Sequence, residues 1–368
     1  MKKVCHMTNV HDEEDIRIFH KECVSLAENG YEVYLVERGS SYEKNGVHIV
    51  GVGDIPDGRI KRMTQGARKV YEAALALDCD LYHLHDPELL PYGLKFKRMG
   101  KKVVFDSHEL TREQIRIKPY LKKSAAAAIS AVYSMYEDYV LRRIDAVIFP
   151  CTIEGRFPLP GKRTVCIDNF PRLREMYDRY DPNAVKDPDT VCIVGSLTED
   201  RGIRHMALAA ERAGCRLILG GGFAPESFGA EMREMARTRN IELLGPIDRD
   251  KVCSVLQRSV IGADPILNVG QYDMLDNMST KVYEYMAMGL PVILTRNRYN
   301  VKMAERYHFG ICVDPEDINE FAAAIRRVLD DREEARQMGE NGRRAVKEHF
   351  SWENEERKLV ELYGKILS

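Results

Sequence analysis

A chain of 368 residues is long for one hydrophobic core and comfortable for two. Charged residues make up 30% and the formal net charge is −2, so no overall field draws the chain to nucleic acid or repels it from a membrane. Hydrophobic residues are 44%, with no apolar run near the roughly 20 residues that span a bilayer as a helix. The start, MKKVCHMTNV, is too short and too quickly polar for a secretory signal, so the expected location is the cytoplasm. The nine cysteines are scattered singly without a CxxC pair, which argues against a disulfide framework or a cysteine zinc site. Several, among them Cys5, Cys192 and Cys312, lie in apolar runs where the thiol serves as a small buried hydrophobe.

Short apolar runs alternate with longer helical patterns from end to end, the pattern of doubly wound α/β architecture. The first half predicts strands at Lys3 to Met7, Val33 to Val36, Val47 to Val50, Leu81 to Leu84, Val103 to Phe105 and Ala146 to Phe149. Helices are expected at about Ile16 to Asn29, Ile60 to Ala76, Leu89 to Met99 and Lys122 to Arg143, with Gly30 stopping the first. A polar stretch running to Asp189, with two prolines and many charges, reads as a linker. The alternation restarts at Val191 to Val194 and continues through Arg216 to Leu219, Ile241 to Leu244, Val260 to Ala263, Val292 to Thr295 and Ile311 to Val313. Helical patterns at Ile318 to His349 and Trp352 to Leu367 close the chain, broken near Phe350-Ser351. Two Rossmann-like domains follow, residues 1–180 and 181–350.

Candidate chemistry also follows chain order. The loop Asn9 to Phe19 has no glycine where dinucleotide folds place Gly-x-Gly-x-x-Gly, and its acids make a poor phosphate cradle. It reads as an acceptor-side loop in which Asp15 caps the following helix or meets sugar hydroxyls, and Arg17 faces an anionic acceptor. Histidines next to acids end two consecutive strands, as His83-Leu84-His85-Asp86 and Asp106-Ser107-His108-Glu109. A metal on His83, His85, Asp106 and His108 is a weak zinc pattern without a closing Cys or His pair, so no metal is expected; His83 reads as a core histidine and His85 as acceptor-side. Basic residues interleave with apolar ones over residues 95–123, a mixture suited to an anionic bilayer surface.

The second domain opens with Val194-Gly195-Ser196-Leu197-Thr198-Glu199-Asp200-Arg201-Gly202, in which a strand, a permissive glycine and an arginine just past the turn form a plausible phosphate loop. Gly220 and Gly221 follow the next strand, and Gly245 to Ile247 the one after. Asp276 to Pro291, DNMSTKVYEYMAMGLP, is the most informative stretch: a polar turn, Asn277-Met278-Ser279-Thr280, supplies capping side chains and free amides at a helix start. Lys281 then lies in the first turn and Glu284 one turn further on.

This last stretch resembles the family 4 retaining glycosyltransferases, whose donor site carries two acids, the second opening a phrase close to EYMAMGLPVI. The resemblance implies the glycosyltransferase B fold, two Rossmann-like doubly wound parallel-sheet domains facing across a cleft, with the last helix, residues 351–368, returning to the first domain. It implies that Glu284 grips the donor ribose, that Asp276, shorter by a methylene than the family's Glu, meets the transferred sugar, and that the amides between them meet the phosphates. Arg201 takes the place of the family's phosphate-loop Lys, whereas Ser196 stands where an Arg is usual; Lys281 or an Arg from elsewhere in the chain is then expected to make up the charge. Gly220, Gly221, Gly245 and Ile247 would line the donor pocket, and His108 would approach the donor sugar. The activity implied is retaining, metal-independent transfer of a hexosyl group from a nucleotide-diphosphate sugar, a UDP-sugar by preference, to an acceptor hydroxyl of a surface polysaccharide or lipid-linked saccharide. No cofactor beyond that co-substrate and no nucleic acid partner are expected; peripheral membrane contact would place the protein at the inner face of the cell membrane. The alternatives are a UDP-sugar 2-epimerase of the same architecture and a non-catalytic nucleotide-sugar or glycan-binding partner subunit.

Overall fold

The computed structural model describes residues 1–11, 13–55, 58–107, 111–116, 122–149, 163–268 and 277–368. The chain divides into two compact units, Met1–Asn169 with Glu353–Ser368, and Phe170–Trp352.

In the first unit the strands are β1 (Lys3–Met7), β2 (Glu32–Glu37), β3 (Tyr42–Lys44), β4 (Val47–Gly51), β5 (Leu81–Leu84), β6 (Lys102–Asp106), β7 (Ala146–Phe149) and β8 (Arg163–Cys166). They form one sheet in the order β3-β4-β2-β1-β5-β6-β7-β8, parallel except for the β3–β4 pair. The central strands are near-continuous apolar runs because helices cover both faces, and Val4, Cys5, Met7, Leu81 and Val103 are wholly buried. The chain leaves β1 through Asp15, whose carboxylate accepts from the amides of Arg17 and Ile18 and so caps the next helix. That helix is widened over Ile16–Cys23, where His20 N–H reaches back five residues to the Asp15 carbonyl, before an α-helical turn over Val24–Glu28. The final helix, Trp352–Leu367, has residues 353 onward in this unit, and its Glu356 accepts from Ser25 and Asn29.

The second unit contains β9 (Thr190–Val194), β10 (Leu197–Thr198), β11 (Arg216–Gly220), β12 (Phe223–Ala224), β13 (Ile241–Gly245), β14 (Ile261–Asp264), β15 (Val292–Thr295) and β16 (Gly310–Val313). Six of them make an all-parallel sheet, β13-β11-β9-β14-β15-β16, while β10 and β12 pair beside it. Alternation sorts the core. Val191 and Ile193 face the helices Ile203–Ala213 and Ile318–Asp330; Cys192 and Val194 face the helices Arg249–Arg258 and Thr280–Ala287.

Two expectations need correcting. The first unit ends at Asn169 rather than 180, because Phe170 and Met176 bury themselves in the second unit's core and Tyr177 and Tyr180 pack against it. The pattern over residues 318–349 is two helices, not one: Asp331 breaks it by accepting from the Glu334 amide and capping the helix Arg332–His349. The strands β3 and β8, one short and polar and the other ending in a single Val-Cys pair, carried no apolar run to predict them.

Candidate functional site

In an open parallel sheet, ligands collect at the carboxyl ends of the two strands where the order reverses. In the second unit that point lies between β9 and β14, since β9 runs to β11 and β13 on one side while β14, β15 and β16 continue on the other. Glycine sets the approach of the elements here. A Cβ on Gly262 would sit 2.5 Å from the Tyr285 ring, so its absence lets the helix Thr280–Ala287 settle onto β14, with the Tyr285 hydroxyl accepting from the Val194 amide at 3.2 Å. Gly202, at φ +68°, starts the helix Ile203–Ala213 where a Cβ would lie 2.0 Å from the Pro265 carbonyl oxygen. The loop carrying Arg201 is thereby held against the exit of β14.

Charge gathers at this edge. Asp264, the last residue of β14, is buried; it accepts from the Ser279 hydroxyl at 2.8 Å and faces the Lys281 ammonium at 3.3 Å. Burial pulls the Lys281 pKa down, the Asp264 carboxylate opposes that, and the Arg201 guanidinium adds to it, so the two cations feel one another. Arg201 is half-buried and has no hydrogen-bond or ion-pair partner among the described residues. Ser279 occupies the N-cap position, but its hydroxyl is directed to Asp264 and does not cap, contrary to the sequence expectation. The amides of the exposed Thr280 and of Lys281 therefore open the helix without a side-chain acceptor, the arrangement that receives an anion.

One turn on, Glu284 is held by Arg249, Nη1 to Oε1 2.8 Å, and Arg249 also faces Glu175 at 3.8 Å. Asn277 accepts from the Tyr283 hydroxyl and Met278 is buried, so the polar turn is anchored by its own helix. Gly220, Gly221, Gly245 and Ile247 do come together. The Gly221 amide donates to Gly245, a Cβ on Gly221 would fall 1.7 Å from the Gly195 carbonyl oxygen, and Ile247 fills the place of a Gly220 side chain. Ser196 is exposed beside them. Asp276 lies outside the described residues. Sequence reasoning missed Asp264 and Arg249; the first was signalled by an acid at a predicted strand end, the second by nothing local.

In the first unit the corresponding reversal falls between β1 and β5. It is closed by Asp86, which accepts from the Thr8 hydroxyl at 2.8 Å and the Asn9 amide at 2.7 Å, with His11 3.5 Å away. Burial pushes the Asp86 carboxyl up to about 6 against these partners. Asp15 is spent on its helix cap; burial disfavours its charge, but hydrogen bonds from His11 and the amides of Ile18 and Arg17 hold it at about 2. Arg17 does not face outward as expected. Its guanidinium is buried between Asp106, 2.7 Å, and Glu22, 3.0 Å, and donates to the Ile167 carbonyl. His85 is likewise turned inward, 2.9 Å from the His6 ring. His108 lies outside the described residues.

Within residues 95–123 several cations are already engaged: Lys97 with Asp145, Lys101 with Asp78, Arg112 with Glu137 and Asp138, and Lys95 over the rings of Tyr71 and Tyr92. Residues 117–121 lie outside the described residues. Among the described residues no helix is long and apolar enough to cross a membrane.

Two family models match. Glycosyl transferases group 1 covers residues 178–345 and Glycosyltransferase Family 4 covers residues 19–157. MMP alpha-(1->4)-mannosyltransferase of Mycolicibacterium hassiacum is 32% identical over 98 residues, 26% of this chain. That match spans 23% of the relative's length. The fold is similar to that of sucrose-phosphate synthase from Thermosynechococcus elongatus, with a TM-score of 0.77 at 18% identity over 99% of both chains. It is also similar to a glycosyltransferase from Rickettsia africae, TM-score 0.76 at 14% identity, covering 100% of this chain and 99% of that one. HepE of Anabaena in complex with UDP and glucose gives a TM-score of 0.73 at 12% identity, covering 99% and 100%.

Proposed function

The chain belongs to the family 4 glycosyltransferases, and on that premise we propose that it moves a hexosyl group from a UDP-sugar to an acceptor hydroxyl, retaining the anomeric configuration and using no metal. The acceptor is a saccharide or lipid-linked saccharide of surface polysaccharide synthesis. The observation that carries the donor site is Lys281, held by Asp264 at 3.3 Å at the uncapped start of the helix Thr280–Ala287, with Arg201 on the loop that Gly202 packs against the exit of β14. A diphosphate seated there meets two amides, a guanidinium with no partner among the described residues, and the ammonium held by Asp264. Negative charge on the leaving diphosphate grows as the glycosidic bond breaks, so these fixed groups bind the transition state more tightly than the ground state. Glu284, oriented by Arg249, accepts from the ribose hydroxyls. Asp276 and His108 are assigned to the donor sugar. The acceptor hydroxyl attacks on the face that the diphosphate leaves, and its proton passes to that phosphate. The UDP complex of the similarly folded HepE supports the choice of base.

Glu284→Ala is expected to weaken UDP binding at least about tenfold by calorimetry and to abolish transfer, the loss of a charge-assisted hydrogen bond pair. An active variant with unchanged UDP affinity refutes the assignment. Conversion of the donor in the absence of any acceptor would instead identify a sugar epimerase.

Membrane association is proposed through the first unit. Its helix Lys123–Leu141 exposes Val132 and Met135, at 68% and 74%, on one face with Ile129 and Tyr139, and follows the basic stretch 95–123. Flotation with anionic liposomes at low salt checks it: the protein is expected in the lipid fraction and to leave it as salt rises. Protein that stays at the bottom of the gradient at every salt concentration removes this part of the reading.

A further inference from the structure

Beneath the strand ends of the first unit lies a polar cluster that the donor chemistry does not use. His6 on β1 is the register partner of His83 on β5, and His85 lies two residues beyond His83, so the three imidazoles share one face of the sheet. The helix that follows β1 brings Glu22 onto the same face. His6, Glu22 and His83 are 0% exposed and His85 2%. His6 Nδ1 and His85 Nε2 are 2.9 Å apart. Glu22 Oε2 stands 3.8 Å from His6 Nδ1, 3.8 Å from His83 Nδ1 and 3.9 Å from His85 Nε2. One ligand atom from each of the four residues lies within 4.8 Å of all the others.

These distances are informative because they fit poorly to hydrogen bonding. A carboxylate that served an imidazole would approach one ring to about 2.7–2.9 Å. Glu22 Oε2 instead stands nearly equidistant from three rings and within hydrogen-bond reach of none of them, while Oε1 faces Arg17 Nε at 3.0 Å. Four ligands around a tetrahedral zinc at about 2.0–2.1 Å stand about 3.4 Å from one another, and the measured separations of 2.9 and 3.8–3.9 Å fall on both sides of that value. The charge points the same way. Arg17 is buried against both Glu22 and Asp106, so with neutral imidazoles one guanidinium serves two carboxylates. Around the cluster, the Tyr363 hydroxyl is held 3.0 Å from His6 Nε2 and 2.8 Å from His83 Nδ1. It is placed to accept from His6 Nε2–H when Nδ1 of that ring is a ligand, the kind of outer partner that fixes a ligating imidazole, and its own O–H turns away from His83 Nδ1 when that nitrogen binds the metal.

We infer that His6, Glu22, His83 and His85 form a closed structural site for a divalent transition metal, zinc by ligand type, which ties β1, β5 and the helix after β1 together. The set differs from the one weighed on sequence: His6 and Glu22 replace Asp106, which pairs with Arg17, and His108. Four protein ligands leave no open position, so the ion takes no part in sugar transfer, and the inference stands apart from the donor site.

The test is metal analysis of the full chain made without a histidine tag. Mass spectrometry of the purified protein is expected to find about one zinc per chain, retained through gel filtration. Protein produced in cobalt-supplemented medium should show the strong visible bands of four-coordinate cobalt, with no thiolate charge-transfer band from the nearby cysteines. His83→Gln should lose the metal, and Tyr363→Phe should keep it with affinity lower by roughly 10–100-fold. If a His83 variant fails to fold, the wild-type measurements decide alone. Wild-type protein holding below about a tenth of an equivalent of any transition metal, and unchanged in melting temperature on adding zinc, overturns the inference. So does a His83→Gln chain that folds and retains a full equivalent, or a cobalt spectrum dominated by thiolate.

Discussion

The two units place a carboxylate at the same topological point and use it in opposite ways. At the reversal in the first unit, Asp86 draws the two strand exits together through Thr8 and Asn9, and Arg17 is turned inward onto Asp106 and Glu22. At the reversal in the second, Asp264 steadies Ser279 and Lys281 at a helix start, and Arg201 is left without a partner among the described residues. A Rossmann-like sheet offers a crevice in both places. Whether that crevice binds an anion depends on whether its charges are spent on the fold or left over. In the first unit they are spent, and in the second one guanidinium remains.

The sharpest way to break this contrast is to remove the cation from each side. Arg17→Ala leaves Asp106 and Glu22 buried without their guanidinium, and is expected to destabilise the first unit by about 3–5 kcal/mol. A fall in the denaturant midpoint of the first unit's transition measures it. Metal at the Glu22 cluster would soften the loss, so the variant should be measured with and without added zinc. Arg201→Ala, by contrast, should leave the midpoint within about 0.5 kcal/mol and weaken UDP binding by about 10–100-fold, or roughly 1.4–3 kcal/mol. Calorimetry on the two variants reads the comparison directly: if Arg17→Ala lowers UDP affinity as much as Arg201→Ala, the division of labour is wrong.

Much of this was legible in the chain. Near-continuous apolar runs marked the central strands of both sheets, and Gly202 after Arg201 marked a turn that the structure closes against Pro265. What could not be read was pairing over long separations. Arg17 sits at the start of a helix and looks outward on any local pattern; its direction is set by Asp106, 89 residues away. Arg249 and Glu284, 35 residues apart, meet only because two helices cover one face of the sheet. The unit boundary was misplaced because residues 170–180 are polar on average while their few aromatic side chains decide where they pack. Asp331, by comparison, was readable: an acid three residues ahead of Glu334 is a helix-start signal that the uninterrupted apolar period concealed.

The smallest expected effect tests how the first unit tolerates its acids. Glu37 is wholly buried, and that burial, against a hydrogen bond from the Glu14 backbone and with Glu13, Glu14 and Asp15 nearby, pushes its carboxyl up to about 7. Asp168 is also pushed up to about 7, by burial and by Glu355, with Cys166, Lys358 and Arg17 opposing. Both groups therefore keep a proton in the folded state at pH values where the unfolded chain has lost it. Their contribution is fully present below the ordinary carboxyl value of about 4 and disappears as pH rises through about 7. The stability of the first unit should fall between about pH 4 and pH 7, by roughly 1–2 kcal/mol per carboxyl once the pockets relax, and a falling melting temperature reads it. Glu37→Gln should flatten that slope by about half, because a neutral amide carries nothing to ionise. A slope unchanged by Glu37→Gln would mean that Glu37 is already ionised in the fold, and that the second unit's edge is not alone in holding uncompensated charge.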